Sequence, residues 1–189
     1  LGTTEIQDQV RREVLQPMVD AMARLGSPFQ GVLYAGLMMM DGTPYVLEFN
    51  ARMGDPETQV VLPLLKNDFV DVLEAVIEHR LDQLPVEWHS DATVCVVMAS
   101  GGYPGTYQQG IPLSGLPTAT TFSDSSVVFH AGTAQRGHEI VTAGGRVLGV
   151  LGRGRTLLEA QGEAYRVVKT ISFEGCHFRT DIAHRALRT

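Results

Sequence analysis

The sequence predicts an α+β fold, in which a helix and a β-hairpin are followed by a second half that is richer in strands. Two apolar runs, residues 31–40 and 45–47, flank an Asp-Gly pair that is typical of a hairpin turn. The near-continuous apolar run 92–99 predicts a strand that is covered on both faces. The opening helix is indicated by apolar residues that recur every four positions: Ile6, Val10, Val14, Met18 and Met22.

Local signals set the predicted limits of that opening helix. Thr4, with Gln7 three positions later, has the pattern of a capping box. Pro17 has no amide hydrogen to donate inside the helical pattern, so we expect the helix to kink or to split there. Gly26 and Pro28 end the pattern.

The remaining elements divide the chain into two predicted parts. Helices are predicted over residues 59–65 and 68–79, and the Pro-containing segment 81–86 is the predicted boundary. This places one domain at residues 1–84 and a second at residues 85–189. Further strands are predicted at 127–130, 139–142 and 146–151, with Gly144-Gly145 as a hairpin turn, and Thr156 and Glu159 cap a final helix.

The composition is that of a globular protein without a strong charge bias. Apolar residues make up 44% of the chain and charged residues 19%, and the formal net charge is −6. A scattered set of Lys and Arg residues with a negative net charge argues against nucleic acid or an anionic membrane as the partner. Cys95 and Cys176 are expected to be free thiols in a reducing cytoplasm, the alternative being a disulfide between them.

The strongest candidate site lies at the end of the predicted hairpin. Side chains two positions apart on a strand share a face, so Glu48 and Asn50 place a carboxylate and an amide oxygen side by side. Such hard oxygen donors suit Mg²⁺, which uses one or two protein ligands and completes its shell with water and phosphate oxygens. The alternative is a polar strand end beside a turn. Asp41 is interpreted as a turn residue and not as a ligand.

Charged residues follow this pair in the segment 52–58. Arg52 is placed to hold a phosphate or a carboxylate, and Asp55 to receive an amine. The alternative is a charged surface loop stiffened by Pro56. Glu57 is left open between a substrate-facing role and capping of the helix that follows.

Two other features are interpreted as structural. The glycine-rich segment 149–156 lacks the Lys-Ser/Thr ending of a phosphate-binding loop, and its glycines are interpreted as allowing a tight turn from a strand into the capped helix. Arg153 nevertheless has the reach to contact a nucleotide. His130 ends a strand with no Ser or Cys nucleophile in a recognisable motif, which disfavours a hydrolase.

Residues 48–57 resemble the nucleotide–Mg²⁺ strand of the ATP-grasp ligases. The longer string of residues 33–38 and 48–59 resembles one family among these, the phosphoribosylamine–glycine ligases of purine biosynthesis. Segments 97–105, 129–134, 144–148 and 178–182 are similar to the same family and fall in its order. The resemblance implies the C-terminal part of an ATP-grasp domain followed by a small mixed, β-rich C-terminal domain. The sequence differs from many ATP-grasp proteins in one respect, because residues 32–40, on the strand before Glu48, carry no second carboxylate.

The resemblance also implies a reaction and its ligands. ATP, glycine and 5-phosphoribosylamine give glycinamide ribonucleotide, ADP and phosphate through a glycyl phosphate, in the cytoplasm. Glu48 and Asn50 are then the ligands of Mg²⁺ or Mn²⁺, Arg52 contributes to nucleotide binding, and Arg52 and Asp55 are the candidate catalytic residues.

The resemblance further implies that the chain is a fragment. It does not begin with methionine, and its two lysines, Lys66 and Lys169, lie in no ATP-covering lid. We therefore expect the partner to be the missing N-terminal part of the same enzyme, and the chain alone to be folded, inactive and a monomer or weak dimer. The alternatives are another ATP-grasp carboxylate–amine ligase or carboxylase, and a non-catalytic binding or oligomerisation module.

Overall fold

The computed structural model describes residues 2–116 and 125–188, and the chain forms two compact units. One unit comprises Leu1–Asp55 and Leu65–Glu87, and the other comprises Pro56–Leu64 and Trp88–Thr189. The mixture of helices with antiparallel strands confirms the predicted α+β class. The domain boundary after residue 84 stays a prediction, because the contacts assign segment 56–64 to the second unit.

The first unit begins with a helical segment that is split near Pro17, as predicted. Helix α1 (Thr4–Val10) runs into a π-helical turn (Arg11–Leu15), and α2 (Gln16–Arg24) begins with the proline in its first turn. A proline cannot donate to the preceding turn, and the local widening to a π-turn accommodates that loss. The predicted cap is wrong by one residue, because Thr3 has the extended backbone and accepts from the amide of Ile6 at 3.4 Å.

A two-stranded antiparallel sheet and a further helix complete this unit. Strands β1 (Tyr34–Met40) and β2 (Thr43–Asn50) pair with each other, and Asp41 and Gly42 both have positive φ, as the predicted hairpin turn requires. Helix α4 (Phe69–Ile77) is capped by the side chain of Asp68 and is followed by a 3₁₀ turn at Leu81–Gln83.

The second unit is built on strands β3 (Ala92–Ala99), β4 (Ser126–His130) and β7 (Arg146–Gly154). They form a three-stranded antiparallel sheet in the order β3-β7-β4. Helix α5 (Leu157–Val168) packs on one face, and Val96, Met98, Val150 and Ala164 in this core are fully buried. On β3, the hydroxyl of Thr93 donates to the carbonyl of Val60 at 2.8 Å, within the same unit.

Shorter elements surround this core. Helix α3 (Glu57–Val61) continues into a 3₁₀ turn at Leu62–Leu64, and α6 (His184–Leu187) lies near the end of the chain. Strands β5 (Thr133–Arg136) and β6 (Glu139–Thr142) form a separate antiparallel pair. The predicted hairpin turn at Gly144-Gly145 is therefore wrong, because β6 pairs with β5 while β7 pairs with β3 and β4.

An ion pair within α5, whose carboxylate also accepts a hydrogen bond from the residue before β4, makes the stability of this unit depend on pH. Glu163 accepts hydrogen bonds from Arg166 at 2.7 and 2.8 Å and from Ser125 at 3.0 Å. The pKa of Glu163 is lowered from 4.5 to about 2, chiefly because of the hydrogen bonds from Arg166. The folded state therefore holds this proton more weakly than the unfolded state does, and ionised Glu163 stabilises the fold above its unfolded pKa.

We expect Glu163→Gln to lower the free energy of unfolding by about 1–2 kcal/mol at pH 7, a value reduced because Arg166 is largely exposed. The difference from the parent chain should shrink as the pH falls from 4.5 towards 2, since the native carboxylate then becomes protonated. Denaturant titrations of the parent chain and the variant, at several values between pH 7 and pH 2, measure the difference in the free energy of unfolding. A difference that does not change with pH would contradict the assignment.

Candidate metal centre

The end of β2 places Glu48 and Asn50 side by side, as the alternation of side chains predicts. The side-chain amide of Asn50 donates to Oε1 of Glu48 at 3.0 Å. Glu48 is exposed and Asn50 is half-buried. The strand backbone and this hydrogen bond together fix a carboxylate and an amide next to each other.

The partner strand contributes a feature that sequence reasoning did not identify. Gly36 lies directly opposite Glu48, and Tyr34 lies directly opposite Asn50. A Cβ atom at Gly36 would lie only 3.1 Å from Cγ of Glu48. The stem of Glu48 therefore occupies the space that a side chain at position 36 would take. The available signal was a glycine inside a predicted strand, which often marks such a close approach.

The donor chemistry of the pair fits a hard divalent cation. Carboxylate and amide oxygens are the ligands that Mg²⁺ prefers, and Mg²⁺ commonly takes only one or two carboxylates from the protein. Among residues 2–116 and 125–188, no group of three or more His, Cys, Asp or Glu side chains is placed to hold a metal ion. A cation at this position would therefore depend on Glu48, Asn50 and oxygens from other molecules or chain segments.

Arg52 and Asp55 follow the pair in a turn of the same unit. Both are exposed, and Gly54 between them is buried. The guanidinium of Arg52 donates to the backbone carbonyl of Met53 at 3.0 Å. A charged acceptor such as a phosphate or carboxylate binds a guanidinium more strongly than this neutral carbonyl does. The geometry leaves the roles of Arg52 and Asp55 as predictions.

Glu57 belongs to the other unit, as the first residue of α3. The helix begins at Glu57, two residues before the predicted start at residue 59, and no side chain caps it. A carboxylate in the first turn favours the helix through its dipole, which is the structural alternative for Glu57.

The glycine-rich segment 149–156 and His130, both interpreted as structural, make contacts within the fold. A Cβ at Gly152 would overlap with the backbone of α5, so this glycine allows the helix to pack closely on β7. The guanidinium of Arg153 is engaged by Asp91, with nitrogen–oxygen distances of 2.6 and 2.7 Å, in a partly buried ion pair. His130 makes a hydrogen bond to Thr133 at 3.0 Å.

No helix among the described residues is both long and apolar enough to cross a membrane. Cys95 and Cys176 are free thiols, as predicted, and burial raises the pKa of Cys176.

Two family models match successive parts of the chain. The phosphoribosylglycinamide synthetase ATP-grasp (A) domain matches residues 1–58, which include the hairpin and the Glu48–Asn50 pair. The phosphoribosylglycinamide synthetase C domain matches residues 93–185.

Known proteins similar to the chain carry related names. The chain is 50% identical over 182 residues to a phosphoribosylamine–glycine ligase of Synechocystis, and the match covers 95% of this chain and 43% of that protein. It is 43% identical over 190 residues to a bifunctional purine biosynthetic protein of Pichia angusta, covering all of this chain and 24% of that protein. The crystal structure of the phosphoribosylamine–glycine ligase of Thermotoga maritima matches with a TM-score of 0.81 and 33% identity, over 96% of this chain and 44% of that one. The chain thus spans less than half the length of these relatives.

Proposed function

Because the chain belongs to the phosphoribosylglycinamide synthetase family, we propose that it is part of an ATP-dependent ligase that joins glycine to 5-phosphoribosylamine. The products are glycinamide ribonucleotide, ADP and phosphate, formed in de novo purine biosynthesis. The observation that carries the proposal is the adjacent Glu48 carboxylate and Asn50 amide, held 3.0 Å apart within the segment that matches the ATP-grasp domain.

Glu48 and Asn50 are the proposed ligands of a divalent cation, Mg²⁺ or Mn²⁺. When bound, this ion supplies positive charge that neutralises the phosphates of ATP. Glu48 provides the opposing negative charge, and Asn50 provides a neutral oxygen donor. Their mutual hydrogen bond holds both side chains in place before the nucleotide arrives, which reduces the entropy lost on binding.

Arg52 and Asp55 are the proposed catalytic residues. ATP transfers its terminal phosphoryl group to the carboxylate of glycine, and the amine of phosphoribosylamine then displaces phosphate from the resulting glycyl phosphate. Arg52 exchanges its bond to the carbonyl of Met53 for the transferring phosphoryl oxygens, and Arg52 also contributes to nucleotide binding. Asp55 accepts a proton from the attacking amine.

The remaining proposals concern partners and location. The relatives are more than twice as long as the matched region, so we assign the ATP-covering lid and much of the phosphoribosylamine site to an N-terminal part of the same enzyme. The chain alone is then inactive, and a monomer or weak dimer. The purine biosynthetic role in the name of the Pichia angusta relative supports a cytoplasmic location. The net charge of −6 favours neither nucleic acid nor a membrane as partner.

The test is a ligase assay of the full-length enzyme that the proposal describes, with Arg52→Lys as the variant. Lysine keeps the charge and loses the planar fork, so turnover should fall about ten- to a hundredfold, the equivalent of roughly 1.5–3 kcal/mol. The melting temperature should hardly change because Arg52 is exposed. ADP release that depends on both glycine and phosphoribosylamine measures the reaction.

Arg155→Lys is the matched control, since Arg155 is an exposed arginine of the other unit, paired with Glu159 on the helix surface. It should leave turnover unchanged. ADP release driven by a different carboxylate or amine would favour another ATP-grasp ligase or carboxylase. Absence of any metal-dependent nucleotide binding in the full-length protein would favour a binding or oligomerisation module.

A further inference from the structure

The pairing of β1 with β2 changes register beside the proposed metal ligands. From the turn up to Leu37 the strands pair residue by residue, with Met38 opposite Tyr45 and Leu37 opposite Val46. The next pair joins Gly36 to Glu48, so Leu47 is an extra residue on β2. This is a β-bulge, a feature that re-aims the side chains which follow it.

The bulge decides which face of the hairpin carries the ligands. If the regular pairing continued past Val46, Leu47 would lie opposite Gly36 and Glu48 would lie opposite Ala35. A shift of one residue moves every subsequent side chain to the other face of a sheet. The extra residue therefore places Glu48 on the face of Gly36 and not on the face of Ala35.

Gly36 then makes that face usable for a glutamate. A Cβ at this position would approach Cγ of Glu48 to 3.1 Å and would lie 3.7 Å from its carbonyl oxygen. Contacts this close force the neighbouring side chain to move by a few tenths of an ångström. The carboxylate of Glu48 would move with its stem, and the 3.0 Å hydrogen bond to Asn50 would lengthen or break.

We infer that Gly36 and the bulge at Leu47 together aim the Glu48–Asn50 pair, and that Gly36 is a positioning residue for the divalent metal–nucleotide complex. The inference rests on the proposed function, because it concerns the geometry of the same ligands. The bulge selects the face, and the missing side chain at Gly36 sets the position of the carboxylate on that face. Tyr34, opposite Asn50, lies on the same face.

The first test is Gly36→Ala in the full-length enzyme, with Mn²⁺–ADP as the probe and the electron paramagnetic resonance signal of free Mn²⁺ as the readout. The dissociation constant should rise about tenfold, as is common when a residue supporting a metal ligand is changed. The melting temperature should stay level or rise, since alanine costs less backbone entropy than glycine in a strand. Tight binding with an unchanged dissociation constant would overturn the role of Gly36.

The second test compares deletion of Leu47 with Leu47→Ala. The deletion leaves Glu48 directly after Val46, so regular pairing still sets Glu48 opposite Gly36, and Mn²⁺–ADP binding should be kept. Leu47→Ala keeps the bulge and removes only an exposed side chain, so it should also bind like the parent protein. A folded deletion variant that no longer binds Mn²⁺–ADP would overturn the role of the bulge as a device that sets Glu48 opposite Gly36, and if the deletion variant does not fold, Gly36→Ala decides alone. Failure of the unaltered enzyme to bind Mn²⁺–ADP would instead reject the proposed function itself.

Discussion

Glu48→Gln in the full-length enzyme should weaken binding of the metal–nucleotide complex by at least about tenfold, or about 1.4 kcal/mol. Glutamine has nearly the same shape and can still meet Asn50, but it lacks the negative charge that opposes a divalent cation. The loss should therefore appear in the apparent affinity for Mg²⁺–ATP and be partly recovered at high magnesium. Steady-state kinetics across a magnesium titration measure it.

Asp41→Asn is the matched control for this change. It removes one carboxylate charge from the same hairpin, at a turn position with a φ of 48° that asparagine adopts readily. The magnesium dependence of this variant should match the parent enzyme. Parental kinetics for Glu48→Gln at every magnesium concentration would exclude Glu48 as a ligand, and an effect of Asp41→Asn would move the metal site towards the turn.

The placement of Glu48 and Asn50 side by side was predictable because it depends on local signals. An Asp-Gly turn fixes a hairpin, and alternation along β2 puts Glu48 and Asn50 on one face whatever lies opposite. Helix α5 was predictable for the same reason, since Thr156 and Glu159 mark its first turn and Thr156 caps it in the structure. Such features need no knowledge of distant contacts.

Features that depend on pairing between segments were not predictable in this way. The extra residue at Leu47 becomes visible only when β2 is set against β1, and it places Glu48 on the same face as Gly36. The chain order suggested that β6 and β7 form a hairpin, yet each finds its hydrogen-bonding partners in a different sheet. Strand β5, which is short and polar, carries no apolar alternation by which it could be recognised.

Gly152 and Gly154 of β7 could not be explained from the sequence for a similar reason, because the atoms that a Cβ at either position would meet belong to α5, which comes later in the chain. The sequence suggested that these glycines allow a tight turn from the strand into the helix. The structure gives a different reason for Gly152, which faces the carbonyl of Ala160 and the amide of Ala164 across the sheet–helix interface. Backbone atoms cannot rotate away as a flexible side chain can, so any side chain at this position must push α5 off the sheet.

Gly152→Ala should therefore destabilise the second unit by more than about 3 kcal/mol, beyond the usual cost of overpacking, because the added methyl group meets main-chain atoms. Chemical denaturation of the 189-residue chain measures it. Gly162→Ala is the control on the same helix, where a Cβ meets no atom within 4 Å. That change should stabilise the helix by up to about 1 kcal/mol, since alanine has the higher helix propensity. Equal effects of the two changes would contradict close packing of α5 against Gly152, whereas opposite signs follow directly from it.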